Sequence, residues 1–339
     1  MNRTPSKLAQ CTFDASNKLQ YLSAHSSRAV RLLARAVNRI VQPLARRFGA
    51  NHTVAARLYD HVMTMPAEHS IASILAWLPQ YNRPLGLAAK AIANISARGS
   101  NLSVIDVGAN IGETIAVIEQ HSAGRFSYFC IEPDHDLAEL CRLNYAAKPQ
   151  VHVEECFVGE KEGAEVWLQD DGTANPSTRI VTDGHHNDKS NYGKLFRLDT
   201  VAGPFSESNG GLSLLKIDTE GYDFSILRSA SNILNKYKPA VYFEWFPKLL
   251  INLNEDVWSG FEYLATFGYR YFVFFTSRGD YYCTISNPGR LFLRSLSSIA
   301  LGDASMEYFD VLASTQEQVC SQVVEESIRI LLDNKLTRR

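Results

Sequence analysis

The sequence has no Cys-x-x-Cys pair: its six cysteines, Cys11, Cys130, Cys141, Cys156, Cys283 and Cys320, are scattered over 339 residues. That spacing excludes a zinc or dithiol centre built on such a pair and predicts reduced thiols, as in a cytoplasmic protein. No uninterrupted apolar run reaches the roughly eighteen residues of a membrane span, and no compact apolar segment opens the chain, so neither a spanning helix nor export is expected. Charge of one sign is lacking too. The 34 Lys and Arg nearly balance the 36 Asp and Glu, for a net charge of −2, and imply no electrostatic partner for the chain as a whole. There is no internal repeat and no low-complexity tract. One local absence stands out: over residues 1–50 the only acid is Asp14.

What is present centres on Ser103 to Thr114. The apolar run Val104-Ile105-Asp106-Val107 passes through Gly108-Ala109-Asn110-Ile111-Gly112 into the helical pattern Ile115, Val117, Ile118, which reads as strand, tight turn, helix. Glycines at such a crossing let the backbone approach a ligand closely, and the free N–H groups at the helix start favour a polar or anionic group. A dinucleotide fingerprint would place its middle glycine where Asn110 stands, and Asp106 would repel a pyrophosphate while suiting a cation. Those two departures disfavour a nicotinamide oxidoreductase and favour S-adenosylmethionine, which carries a sulfonium and an ammonium. The run Tyr128-Phe129-Cys130-Ile131 ends at Glu132-Pro133, placing a second carboxylate at a strand end, where ribose hydroxyls are held.

The ordered set Asp106-Val-Gly-Ala-Asn-Ile-Gly112, Glu132-Pro133, Leu198-Asp199-Thr200, Leu215-Lys-Ile-Asp-Thr-Glu-Gly221 and Phe243-Glu244 resembles the successive motifs of the FkbM family of S-adenosylmethionine-dependent methyltransferases. The resemblance covers roughly residues 100 to 250. It implies an α/β class I methyltransferase (Rossmann-like) fold and O-methylation of a hydroxyl on a sugar, glycan or polar secondary metabolite. On that reading Asp106, Gly108, Asn110, Gly112, Thr114, Glu132 and Pro133 bind the cofactor. Asp218, Glu220 and Glu244 are the candidate catalytic residues.

Residues 1–26 lack a clear period and predict a flexible tail or a frayed helix. Residues 27–98 predict a helical N-terminal extension. Within it Val30, Leu33, Val37, Val41 and Leu44 recur at helical spacing opposite Arg28, Arg31, Arg35 and Arg39, and Arg46 and Arg47 follow. Such a basic helix either caps its own catalytic domain or docks on an anionic membrane surface or a protein. Two further helices are expected over residues 53–78, split by Pro66, then one opened by Pro84 and ended by Gly99. His52, His61 and His69 are too irregularly spaced for a metal site. Residues 99–315 predict the methyltransferase domain, a mostly parallel sheet with a terminal antiparallel hairpin formed by Tyr269–Phe275 and Tyr281–Ile285. Residues 316–339 predict a closing helix and tail. A long polar loop from Asp170 to Gly193, with Asp171, His185, His186, Asp188 and Tyr192, is a candidate substrate lid.

Asp106, Glu132, Asp218 and Glu244 all end strands and therefore line one edge of the sheet. Lys216 points to the same side of its strand as Asp218 and needs a carboxylate, either Glu244 or Asp106. Attack by a hydroxyl calls for a base, for which Asp218, Glu220, Glu244 and the loop histidines His185 and His186 are the candidates. Trp245, Phe246, Tyr281 and Tyr282 are candidates to stack on a sugar face. No compact acidic and histidine constellation predicts a metal, and no basic stripe interleaved with aromatics predicts nucleic acid. The competing reading is a non-catalytic S-adenosylmethionine-binding scaffold that docks through its basic helix.

Overall fold

The computed structural model describes residues 4–49, 52–97, 99–170, 178–181, 192–302 and 307–336. Its centre is an eight-stranded sheet whose order, from one edge to the other, is Val151–Glu154, Phe126–Ile131, Leu102–Val107, Leu214–Ile217, Ala240–Trp245, Phe309–Ser314, Tyr271–Thr276 and Tyr281–Ser286. The first five strands are parallel, and Phe309–Ser314 runs antiparallel between Ala240–Trp245 and Tyr271–Thr276. Three strands step outward, the chain returns to the centre, and a late antiparallel strand is inserted: this is the class I methyltransferase arrangement. The reversal of strand order falls between Leu102–Val107 and Leu214–Ile217, where parallel sheets open a crevice for ligands.

Both faces of the sheet are covered, which explains why its central strands read as continuous apolar runs. Val104, Leu214 and Tyr242 pack into one buried cluster, while Ile105, Leu215, Val241 and Phe243 pack into the other. That alternation is the two-residue period of a strand divided between two layers. Each fully buried side chain of this size contributes on the order of 1.5–3 kcal/mol. A smaller sheet of Phe157–Val158, Tyr192–Phe196, Glu165–Asp170 and Thr178–Val181 lies outside the main one.

Several expectations are corrected at the N-terminus. Of the two alternatives for residues 1–26, a flexible tail or a frayed helix, the chain takes the helix, Lys7–His25, capped by Ser6, whose hydroxyl accepts the Ala9 N–H. Where two helices are expected over 53–78, the chain forms a hairpin of His52–Leu58 and His61–Pro66 and then the short helix Ile71–Trp77. The period is two: Val54, Ala56, Leu58, Met63 and Met65 all point inward. The Tyr271–Ser286 hairpin forms the far edge, and Phe309–Ser314, instead of extending that edge, separates the hairpin from the rest of the sheet. A helix at Arg290–Gly302, which no sequence signal marked, makes that return. In the expected lid, Asp171, His185, His186 and Asp188 lie outside the described residues. All six cysteines are free thiols.

Candidate active site

The turn that follows Leu102–Val107 is fixed first by backbone. Gly108 and Ala109 donate N–H bonds to the Ile131 carbonyl at 3.0 and 3.1 Å, and the loop takes positive φ at Gly108 (77°), Asn110 (51°) and Gly112 (87°). A Cβ at Gly108 would collide with the Asp218 carbonyl oxygen, and one at Gly112 would sit 2.6 Å from the Tyr145 ring. Only glycine fits either place. Glu132 closes the cradle: one carboxylate oxygen accepts the Asn110 N–H at 2.8 Å and the other accepts the Asp134 N–H at 2.9 Å. Burial pushes this carboxyl up to about 7 against those two bonds. Thr114 and Pro133 line the same cavity.

Asp106 does not face that cavity. It is fully buried, and the register that pairs Asp106 with Lys216 across neighbouring strands sets the ammonium 3.0 Å from its carboxylate. Burial pushes the Asp106 carboxyl up and the Lys216 charge pulls it back. Burial likewise works against the Lys216 ammonium, but Asp106, Asp218 and Glu113 outweigh it and hold its pKa above the ordinary lysine value. Lys216 also donates to the Gly108 carbonyl at 2.9 Å. Asp106 therefore reaches the cofactor side through Lys216, as an anchor behind the glycine turn. Of the two partners expected for Lys216, the structure selects Asp106.

The cavity has a volume of about 700 Å3 and runs from Asn110 and Glu132 past Lys216 to Asp218, Glu220 and Glu244. Asp218 lies at the mouth with its side chain 49% exposed, 3.8 Å from Lys216. Glu220 follows in a tight turn at φ 52°. Glu244 has one buried oxygen, Oε2, without a hydrogen-bond partner among the described residues. Burial, reinforced by Asp218, Glu220, Asp223 and Asp310, pushes the Glu244 carboxyl well above the usual range. Of the expected aromatic platform, Phe246 lines the cavity, whereas Trp245 is core and Tyr281 and Tyr282 do not line it. Asp199 is structural: it accepts the Asn232 and Ile233 N–H groups, both at 3.0 Å, and so caps the Ser231–Tyr237 helix.

Five groups were missed in the sequence. Glu113, the first residue of the cradle helix, has Oε2 buried without a hydrogen-bond partner, and burial raises its carboxyl to about 8. Asp223 accepts the Thr219 N–H and hydroxyl and the Glu244 N–H, tying two strand ends together, and burial followed by Asp218 raises it to about 7. Asp310 stands opposite Glu244 in the antiparallel register, and burial followed by Asp218 raises it to about 8. Its signal was legible as an acid inside the apolar run Phe309 to Ala313. Tyr81 and Tyr308 line the cavity, their phenols pushed up by burial. His69, expected at a surface or core edge, is buried; its Nδ1 accepts the Ile71 N–H, so its Nε2 donates to Asn110 Oδ1 at 2.9 Å. No group of three His, Cys, Asp or Glu among the described residues has the geometry to hold a metal ion.

Residues 106–271 match the model of the methyltransferase FkbM domain family. No curated protein matches the chain. Among solved structures it is similar to precorrin-6y C5,15-methyltransferase from Geobacter metallireducens, at 13% identity and TM-score 0.34 over 69% of this chain and 86% of that one. A human methyltransferase 10 domain containing protein gives 11% identity and TM-score 0.39 over 76% and 90%. Geranyl diphosphate C-methyltransferase from Streptomyces coelicolor gives 9% identity and TM-score 0.37 over 71% and 82%. The motif order, the glycine-restricted cradle and the family match converge: residues 106–271 carry a methyltransferase FkbM domain, with S-adenosylmethionine as its cofactor.

Proposed function

We propose that the protein O-methylates a hydroxyl of a sugar, glycan or similarly polar metabolite. The observation that carries this reading is the cavity itself: a glycine cradle and a ribose-type carboxylate at one end, and three strand-end carboxyls with aromatic walls at the other. The cradle fits the cofactor. Gly108 leaves room for no side chain, and Glu132 commits two of a carboxylate's roughly four acceptor positions to backbone, keeping the rest for ribose hydroxyls. When bound, S-adenosylmethionine supplies a methyl group on a cationic sulfur, open to attack by an acceptor oxygen.

The chain's own residues then have three tasks. The walls Tyr81, Phe246 and Tyr308 would hold the flat face of an acceptor ring, fixing the oxygen in line; positioning of this kind removes much of the barrier. Asp218, at the mouth and within reach of solvent, would take the hydroxyl proton as the oxygen attacks. Glu244, whose carboxyl burial pushes well above the usual range, would in its protonated form donate a hydrogen bond to the acceptor instead of competing for that proton. Glu220, beside Asp218 in the same turn, would orient a neighbouring hydroxyl. The test is incubation of the purified protein with S-adenosylmethionine carrying a labelled methyl group and a panel of hexoses, uronic acids and nucleotide sugars. Label in an acid- and base-stable ether is the expected product. Label recovered only on nitrogen or carbon would overturn the hydroxyl assignment.

A further inference from the structure

The helix Arg28–Gly49 packs against Lys7–His25 by one side only. Ala34 is buried, Asn38 accepts the Ser16 hydroxyl at 3.2 Å, and Gly49 at the helix end is buried beside Ala67. Another side carries Val30, Leu33, Val37, Ile40, Leu44 and Phe48, spaced by three or four residues and all exposed, with Leu33 at 67% and Ile40 at 68%. An i, i+3, i+4 recurrence places them in one stripe, about 27 Å long at 1.5 Å per residue. A stripe of six large apolar side chains is more than scattered surface apolarity, and on a monomer it marks a contact site. The opposite side is cationic. Arg35 and Arg39 line a cavity of about 600 Å3 together with Gln20, Glu68, Ser70 and Trp77. The helix contains no Asp or Glu, and the first fifty residues hold nine Lys and Arg against the single acid Asp14 in a chain of net charge −2. The acidic excess therefore belongs to the rest of the chain.

We propose that this helix is a membrane-surface dock, seating its apolar stripe among the acyl chains of an anionic bilayer while its arginines meet the headgroups. An acid-free helix with an apolar stripe on one side and arginines on another is the form that lies in the interface plane. None of the described helices is long and apolar enough to cross a membrane, so the contact is peripheral. A second copy is a poorer occupant. Pairing two such helices would bring two arginine-rich, acid-free segments side by side, whereas anionic lipid supplies the missing charge. His69 and Ser70 line both the arginine cavity and the active-site cavity, so the dock stands next to the catalytic cleft.

The test is flotation of the full chain with phosphatidylcholine vesicles and with vesicles that also contain phosphatidylglycerol, at low and high salt. The protein floats with the anionic vesicles and is released by salt. Leu33→Ser with Ile40→Ser lowers the partition coefficient at least about tenfold, because two apolar side chains leave the stripe. Arg28→Gln with Arg47→Gln lowers it by a similar factor, because two cationic side chains no longer meet the anionic headgroups. Both variants keep the S-adenosylhomocysteine affinity of the parent, which establishes that they fold. The proposal is overturned if the protein stays off anionic vesicles at low salt, or if the serine variant binds as the parent does. It is also overturned if light scattering finds a dimer that the serine variant dissociates, for the stripe would then be covered by a second copy.

Discussion

The two ends of the catalytic cavity treat their carboxyl groups in opposite ways. At the cradle end the two carboxyl groups that flank the glycine turn have partners, for Glu132 accepts two backbone N–H groups and Asp106 is ion-paired with Lys216, whereas Glu113 keeps a buried oxygen without a hydrogen-bond partner among the described residues. At the far end Asp218, Asp223, Glu244 and Asp310 crowd together, and among the described residues they share one ion pair, Asp218 with Lys216 at 3.8 Å. Fixed, satisfied groups present a rigid surface to a ligand. Burial first, and the charge of Asp218 second, push the carboxyls of Glu244, Asp223 and Asp310 up, so these crowded groups do not all ionise together. One end is organised to hold a cofactor. In the function proposed above, the other is where a proton moves.

The largest expected effect comes from breaking the pair that joins the two ends. Lys216→Met leaves Asp106 as an unpaired charge at complete burial and removes the bond to the Gly108 carbonyl, which should destabilise the fold by about 3–5 kcal/mol. Adding Asp106→Asn should recover a large part of that loss. Urea denaturation of the single and double variants measures both, and a single variant within about 1 kcal/mol of the parent would mean that the pair is solvated after all.

The next two variants separate the ends from each other. Asp218→Asn should lower labelled-methyl turnover by about 10²–10⁴-fold while S-adenosylhomocysteine binding stays near that of the parent. Glu132→Ala should do the reverse in kind, weakening S-adenosylhomocysteine in calorimetric titration by about tenfold, roughly 1.4 kcal/mol. If Asp218→Asn lost the cofactor instead, the division of labour between the two ends would fail.

The cradle end was legible in the sequence because its parts are local. Gly108, Asn110 and Gly112 fall within one strand-to-helix crossing, and Glu132 ends the very next strand. The far end depends on contacts that no local pattern encodes. Asp310 stands beside Glu244 only because Phe309–Ser314 is inserted between strands that precede it in the chain. His69 reaches Asn110 across 41 residues because a hairpin, not two helices, fills residues 52–66. Val54, Ala56, Leu58, Met63 and Met65 carry that hairpin's two-residue period. Runs this short can be matched to a helix as well, so their pattern does not decide between the two. Asp106 shows a subtler limit: its place at a strand end was readable, but burial behind Lys216 is a consequence of strand register.

The smallest effect sharpens the comparison through pH. Burial and then Asp218 push the Asp310 carboxyl from the ordinary 3.8 to about 8, while the Tyr242 hydroxyl draws it back slightly. Between those values the folded protein keeps a proton that the unfolded chain has released. The stability tied to Asp310 is therefore complete below about pH 4 and is lost as pH rises through about 8. Glu113 at about 8 and Asp223 at about 7 act with the same sign, so the parent should be less stable at pH 8 than at pH 5. Asp310→Asn removes one of these groups without changing its size, and should shrink the pH 5 to 8 difference by about 1 kcal/mol, well below the full linkage value because a cavity wall relaxes and admits water. Urea midpoints at the two pH values give the difference directly. Parallel curves for parent and variant would mean that Asp310 is ionised throughout, and that the far end of the cavity is no more crowded than the cradle.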